Sequence, residues 1–364
     1  MRIGFDATPL LGARTGVGWY THDLVDAVAE QAPGDELVLL PISWRAARRP
    51  LDAPQRPNLS VVRRPLPARP MWALWDRTGF PPVEWLVRCD VFHATNFVAP
   101  PSRTVPMVVT VHDVGFLRRP EEVSPAVRRM ARVLPDVLRR AAAIIAVSGF
   151  TREELAGWLP EVAAKVTVVH NGSHSRAAPP SPRTAEGAPY ALMLGTLEPR
   201  KNLPLALDAL RILRSRGVDL RLVLAGGPSP LLDVPALLRE RGLAEAAVSC
   251  TGYLDDTRVS ELLAGAGAVA FPSLYEGFGM PLVEAMEAGV PVVGVRAGAT
   301  PETVGAASLL VEPGDAEGFA DALERAVFDD GARAALIAAG HAQASQFSWE
   351  RAGAATLDIY RGVI

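Results

Sequence analysis

Short apolar runs alternate with helical patterns through most of this chain. That alternation limits its fold more than any other feature. Ile3–Phe5, Leu37–Pro41, Val91–Ala94, Met107–Val111 and Ile144–Val147 read as strands of the first half. Val166–His170, Tyr190–Leu194, Leu220–Ala225, Val248–Thr251, Ala268–Phe271 and Val290–Val295 continue the series. Strands apolar on both faces must be covered on both, and the helical segments between them supply the cover. The expected class is α/β, with doubly wound parallel sheets.

A chain of 364 residues suits two such domains. Arg176–Pro189 carries four prolines and no apolar period, so it reads as a linker. The first domain is then expected over 1–176, the linker over 177–189 and the second domain over 190–347. Pro50–Pro70, rich in Pro and Arg, reads as irregular.

Apolar residues make up 49% of the chain and charged ones 21%, enough for two packed cores. A formal charge of −3 gives no overall pull toward nucleic acid. Cys89 and Cys250 fit no metal spacing and read as ordinary buried thiols of a reducing cytoplasm. Met1-Arg-Ile-Gly-Phe-Asp lacks the basic start and apolar core of a signal peptide. No apolar run approaches the ~20 residues of a membrane span. A cytoplasmic location is expected.

The most informative stretch begins at Phe271 and ends at Val293. The strand Ala268–Phe271 runs into a loop with Glu276, Gly277 and Gly279. Pro281 suits the first turn of a helix, Gly289 stops it, and Glu284 is expected near its start. Amides at a helix start attract phosphate, and carboxylates beside them accept sugar hydroxyls. Two glutamates eight residues apart are also common on solvated helix faces, so the strand–loop–helix setting matters more than the pair.

A second site lies upstream. Tyr190–Leu194 leads through Gly195 to Arg200, Lys201 and a helix expected over Leu203–Arg216, with Asn202 as its N-cap. Two cations at a helix start suit a diphosphate. The chain has 37 Lys plus Arg, yet Lys165 and Lys201 are its only lysines. A lysine retained against that bias is a candidate point charge for phosphate, against the plainer reading of a solvated Arg-Lys pair.

In the first half, Gly12, Gly16 and Gly18 follow the first strand. Glycines there let backbone approach a ligand, although many α/β folds share such a turn. His112 and Asp113 end the strand Met107–Val111, where open α/β sheets bind ligands. Ser148 follows another strand, with Thr151 as an N-cap candidate. Trp19 and the Met71-Trp-Ala-Leu-Trp75 segment read as core or as an acceptor pocket. The basic helix expected over Ser124–Arg140 reads as a solvated face, or as a contact for anionic lipid through Arg128, Arg129 and Arg132.

Together these motifs resemble the retaining glycosyltransferases of the GT-B fold, in the large family with bacterial mannosyl-, glucosyl- and rhamnosyltransferases (family 4, group 1). The likeness spans essentially the whole chain. It rests on the Gly12–Gly18 loop, Thr110-Val-His-Asp113, Val147-Ser148, Val169-His-Asn-Gly172, Gly195-Thr-Leu-Glu-Pro-Arg-Lys-Asn202, Thr251-Gly-Tyr-Leu-Asp255 and Glu276…Glu284. Phe347-Ser-Trp-Glu-Arg and a last helix, Ala352–Arg361, resemble the tail (348–364) that crosses back onto the first domain of that fold.

The resemblance implies two Rossmann-like domains facing a deep cleft, with a nucleotide sugar held by the second. Glu284 would take the ribose hydroxyls, Arg200 and Lys201 the diphosphate, and Tyr253 and Leu254 the base. Glu276, with the Gly277, Phe278, Gly279 and Met280 backbone, would face the transferred sugar. Gly16 would approach the diphosphate and His112 the sugar. No metal or other cofactor is expected: the chain lacks an Asp-x-Asp motif, and Asp255-Asp256 and Asp329-Asp330 read as surface turns. The Thr-Val-His-Asp-Val-Gly-Phe segment resembles the mannosyl and rhamnosyl branch, which points to GDP-mannose or a deoxysugar nucleotide. The acceptor would be a glycan, a lipid-linked sugar or a small metabolite. Other sugar-nucleotide enzymes on this fold, such as epimerases, and non-catalytic nucleotide-sugar binders are the competing readings. A phosphorylase would need a pyridoxal phosphate lysine, and Lys165, at a strand start, is a poor candidate.

Overall fold

The computed structural model describes residues 1–12, 14, 16–44, 51–97, 99–118, 125–174 and 189–364. It forms two compact units, one of residues 1–172 with 348–364 and one of residues 173–347. The division falls at Gly172, earlier than the expected boundary at 176. The expected linker 177–189 lies, apart from Pro189, outside the described residues.

The first unit is built on β1 (Arg2–Asp6), β2 (Glu36–Leu40), β3 (Leu59–Val61), β4 (Val91–Ala94), β5 (Met107–Val111), β6 (Ala143–Ala146) and β7 (Val166–Val168). The strands run in the order β3-β2-β1-β4-β5-β6-β7, and every pairing is parallel. β4 and β5 are buried at every position, as a sheet covered on both faces requires. The second unit holds β8 (Tyr190–Leu194), β9 (Arg221–Ala225), β10 (Val248–Gly252), β11 (Ala268–Phe271), β12 (Val292–Val295) and β13 (Ser308–Val311). Their order is β10-β9-β8-β11-β12-β13, again parallel throughout. Its core joins β8 and β9 to the helices Leu203–Ser215 and Ala316–Phe328 through Leu207, Leu213, Leu224, Phe319 and Leu323.

Two strands escape the sequence reading, and both are sheet edges. β3 lies within the stretch read as irregular, and the helix Ala68–Thr78 begins in it too. β3 and β13 have no fully buried residue. The edge strands β7 and β10 are legible in the sequence, so an edge position weakens the signal of a strand without removing it.

The last helix, Trp349–Val363, belongs to the first unit and lies along the helix Gly16–Gln31. Gln31 Nε2 donates to the Glu350 carbonyl at 2.9 Å. A Cβ on Gly172 would stand 2.4 Å from the Trp349 nitrogen, so only glycine lets the two segments pass. Among the described residues no helix is long and apolar enough to cross a membrane.

Candidate active site

The order of the second sheet reverses between β8 and β11. A crevice opens outside the carboxyl ends of strands at such a switch point. β8 ends at Leu194 and leads to a 3-10 turn, Pro199–Lys201. β11 ends at Phe271 and leads to Glu276. The neighbouring strands bring both loops to one place. Lys201 Nζ lies 2.6 Å from Glu276 Oε1, and an Arg200 guanidinium nitrogen lies 2.9 Å from Oε2. The two sites that the sequence separates are one cluster.

Backbone bonds lock the loops together. The Leu274 N–H donates to the Arg200 carbonyl at 2.9 Å, and Asn202 Nδ2 to the Pro272 carbonyl at 3.2 Å. Asn202 is therefore not the expected cap. It sits in the left-handed region (φ 53°) and makes no capping bond from its side chain. Arg200 also donates to Glu198 Oε2 at 2.8 Å and to the Tyr275 carbonyl at 3.1 Å. Sequence reasoning gave Glu198 no role, although it lies in the Gly195–Asn202 motif two residues before Arg200.

Burial alone would raise the Glu276 carboxyl, but Arg200 and Lys201 outweigh it and hold it at about 2. Burial pushes the Lys201 ammonium below its ordinary value, against the upward pull of Glu276. Lys201 also stands 4.9 Å from the centre of the Phe271 ring. The result is a charge-compensated cluster, buried at Lys201 and Glu276 and half-exposed at Arg200, whose two cations suit a diphosphate.

The loop after Glu276 is shaped by glycines. Gly279 (φ 92°) turns the chain into the helix Met280–Glu287, with Pro281 in its first turn. Gly298 (φ 58°) passes so close that a Cβ would lie 2.7 Å from the Glu276 nitrogen. Gly277 and Phe278 are buried, and Thr303 Oγ1 donates to the Phe278 carbonyl at 2.6 Å. Glu284 is buried in the middle of the eight-residue helix rather than near its start. Tyr253, exposed, and Leu254, half-buried, follow β10 at the sheet's edge. Two strand spacings, about 10 Å, separate β10 from β8.

In the first unit the order reverses between β1 and β4. Thr95, just after β4, donates its hydroxyl to the Asp6 carbonyl at 2.9 Å. His112, just after β5, donates Nε2–H to the Thr95 carbonyl at 2.8 Å. A carbonyl can only accept, so Nε2 carries the proton and Nδ1 keeps the lone pair of the neutral ring. Nδ1 has no hydrogen-bond partner among the described residues. Burial pushes the His112 ring down to about 4, against the opposing bond to Thr95. Gly16 is exposed, at the first position of its helix. Ala13 and Thr15 of the glycine loop lie outside the described residues. At Gly18 the close approach is internal: a Cβ would be 3.0 Å from the Pro9 carbonyl.

Several secondary readings can now be placed, some as expected and some not. Ser148, not Thr151, caps the helix Gly149–Trp158. Asp255 and Asp329 cap helices by accepting from the Arg258 and Ala332 amides. Cys250 is exposed and Cys89 half-buried. Lys165 is engaged with the Arg139 and Ala141 carbonyls at 2.7 and 2.9 Å. Trp75 packs on Trp72 and donates to the Pro81 carbonyl at 2.8 Å, which is core packing. Trp19 is half-buried, with the Arg14 guanidinium 4.2 Å from its ring centre. Among the described residues no group of three His, Cys, Asp or Glu is placed to hold a metal ion.

Residues 14–177 match the family model described as Glycosyltransferase Family 4, and residues 175–343 the model described as Glycosyl transferases group 1. The O-antigen chain mannosyltransferase B of Escherichia coli is 32% identical, over 99% of this chain and 100% of that protein. The chain belongs to the group 1, family 4 glycosyltransferases. It is an enzyme of the transferase class. A glycogen synthase of Mycobacterium tuberculosis is 32% identical to this glycosyltransferase over 75% of this chain and 69% of its own length. Among solved structures, the sucrose-phosphate synthase of Thermosynechococcus elongatus is similar with a TM-score of 0.81 at 20% identity, covering 100% of this chain and 98% of that one. WaaG, a glycosyltransferase involved in lipopolysaccharide biosynthesis, gives 0.74 at 16% identity with both chains fully covered. These likenesses show the GT-B fold. HepE of Anabaena, whose structure holds UDP and glucose, is similar at 0.71 and 22% identity, over 98% of this chain and 99% of that one.

Proposed function

We propose that this glycosyltransferase moves mannose from GDP-mannose to a hydroxyl of a glycan, a lipid-linked sugar or a metabolite, with retention of anomeric configuration. The observation that carries the reading is the Glu276–Arg200–Lys201 cluster at the switch point of the second sheet. The Escherichia coli mannosyltransferase, similar over its whole length, supports the choice of sugar.

In this reading the diphosphate draws Arg200 and Lys201 away from Glu276. The anomeric carbon–oxygen bond to phosphate breaks, and the acceptor oxygen bonds to the same face of that carbon. The acceptor's proton leaves on the departing phosphate. Arg200, Lys201 and the start of the helix Met280–Glu287 stabilise the charge that develops there. Freed from its cations, Glu276 accepts from sugar hydroxyls, beside the backbone of Gly277, Phe278, Gly279 and Met280. Glu284 holds the ribose, Tyr253 and Leu254 pack on the base, and Gly16 approaches the diphosphate. His112 orients the sugar through its neutral ring. The two cations supply the charge that a divalent metal supplies elsewhere, so the reaction needs no metal. On the first unit, the exposed arginines 128, 129 and 132 offer a contact to anionic lipid, although Arg129 is already bonded to Asp76 at 2.6 Å. Co-sedimentation with anionic vesicles tests that contact.

The test of the reaction is release of GDP from GDP-mannose in the presence of EDTA, with NMR of the product's anomeric carbon. An α-mannoside formed at full rate in EDTA is the expected result. A β-product, or activity restored only by Mn²⁺ or Mg²⁺, would overturn the retaining or the metal-free reading respectively. A thermal-shift panel of GDP, UDP and dTDP tests the base: a ligand at 100 times its dissociation constant adds about 2.7 kcal/mol.

A further inference from the structure

His112 is confined on several sides. Its Nε2–H is bonded to the Thr95 carbonyl, and two aromatic rings stand nearly perpendicular to its plane. Tyr20 is 4.6 Å away between centroids at 85°, and Phe97 is 6.2 Å away at 84°. A turn of the imidazole about its long axis would drive it into one ring or the other.

Tyr20 is itself tied down. Its hydroxyl lies 2.8 Å from Thr110 Oγ1 on β5. Thr110 Oγ1 lies 2.7 Å from His93 Nε2 on β4. His93 Nδ1 lies 2.6 Å from the hydroxyl of Tyr360, in the last helix. All four residues are buried, and all but Tyr20 are wholly inaccessible. Three proton orders fit this chain. Tyr20 donates to Thr110, Thr110 to His93 Nε2, and His93 Nδ1–H to Tyr360; or every bond runs in the opposite sense; or Tyr360 donates to His93 Nδ1 while Thr110 Oγ1 accepts from both His93 Nε2–H and Tyr20. All three keep His93 neutral, and in each the loss of one link leaves an unpaired polar atom in a dry core.

The last helix grips this arrangement twice. Trp349 packs against the Tyr20 ring at 5.8 Å between centroids. Trp349 and Tyr360 are eleven residues apart, close to three turns, so they share one helix face. One contact reaches Tyr20 directly and the other reaches it through His93 and Thr110.

We infer that Tyr20 is a positioning residue for His112, and that the Tyr360–His93–Thr110–Tyr20 chain from the last helix holds Tyr20 in that role. The inference rests on the proposed part of His112 in transfer. A tyrosine kept only for its volume would need neither a hydroxyl link to β5 nor a perpendicular stance on the imidazole. The position instead holds Nδ1 of His112 in one direction, as the lone-pair nitrogen of a single tautomer.

The test uses the full chain with ¹⁵N-labelled histidine, and Tyr20→Leu and Tyr20→Phe variants. In the unaltered protein the His112 ring should show one tautomer, with the proton on Nε2. Tyr20→Leu should average the His112 ring signals and lower kcat about tenfold, less than the hundredfold of a 1 Å misplacement, with donor KM within about twofold. Tyr20→Phe keeps the ring and cuts the link, and should fall between the two. Unchanged His112 signals in a folded Tyr20→Leu protein would overturn the inference. Altered signals with normal turnover would uphold the positioning and remove His112 from the reaction. If Tyr20→Leu does not fold, Tyr20→Phe decides: His112 signals and kcat both equal to those of the unaltered protein would overturn the chain's role.

Discussion

Lys201 Nζ and Glu276 Oε1 stand 2.6 Å apart, and each side chain retains only about a tenth of its exposure (9% and 10%). Two charges so buried are worth keeping only if each compensates the other. The pair fixes the loop after β8 to the loop after β11 and stores two cations where phosphate is expected. In the proposed reading, the stability of the second unit and the binding of donor then depend on the same residues.

Glu276→Gln should therefore destabilise the second unit by about 3–5 kcal/mol, the usual cost of stranding one member of a buried pair. Urea denaturation measures it. Adding Lys201→Met should recover most of the loss, because the stranded ammonium is gone. A single-variant loss under about 1 kcal/mol would mean that Lys201 and Arg200 reach water when Glu276 is neutral.

Glu284→Ala should weaken nucleotide binding. Hydrogen bonds to a charged group are worth about 1.5–3 kcal/mol, which is roughly tenfold or more in dissociation constant. Calorimetric titration with GDP checks it. An affinity equal to that of the unaltered protein would show that the buried carboxylate serves the helix Met280–Glu287 and not a ligand.

His112→Ala should lower turnover about a hundredfold or more, the usual effect of losing one preorganised contact to a transition state. GDP affinity, which the proposed function assigns to residues of the second unit, should stay within about twofold. A variant of normal turnover would exclude the ring from the reaction.

Acid should unfold the first unit before carboxylate titration alone would. Burial holds the neutral rings of His93 and His112 at about 3 and about 4, against an ordinary 6.5. Their unfolded forms bind protons that the folded forms refuse, so stability is full above pH 6.5 and falls as pH drops through 4 toward 3. Asp6 works the other way: burial raises it to about 6, so acid favours its folded form. The two histidines are displaced further in sum and should win. Tryptophan fluorescence followed from pH 7 to 3 measures the loss, and His93→Gln should reduce its steepness. In the second unit Glu276, held at about 2 from 4.5, adds stability that is lost as pH falls from about 5 through 2.

Local pattern carried a large share of this. The runs Met107–Val111 and Ala268–Phe271 are buried at every position, and their composition alone marks them as central strands of a covered sheet. Pro281 and Gly289 frame their helix because proline lacks an amide donor and glycine accepts a positive φ, which are properties of single residues. Leu59–Val61 and Ser308–Val311 stayed hidden: the first is three residues with a central serine in a Pro- and Arg-rich stretch, and neither has a fully buried position. Asn202 looked like a cap and instead reaches Pro272, a partner 70 residues away that no local rule names.

The residue types of the candidate site were fixed by the sequence alone: a carboxylate on a glycine loop, two cations at a helix start, a histidine at a strand end. Tertiary structure decided that the first two are one cluster. Strand order places β11 beside β8, and parallel pairing brings their carboxyl ends, with Glu276 and Lys201, to the same edge of the sheet. It also decided that His112 is neutral, because burial disfavours the charged ring, and that its proton sits on Nε2, because the Thr95 carbonyl can only accept. Periodicity and composition act along the chain over a few residues. Charge compensation and burial depend on groups far apart in it, and become definite only when the sheet has closed.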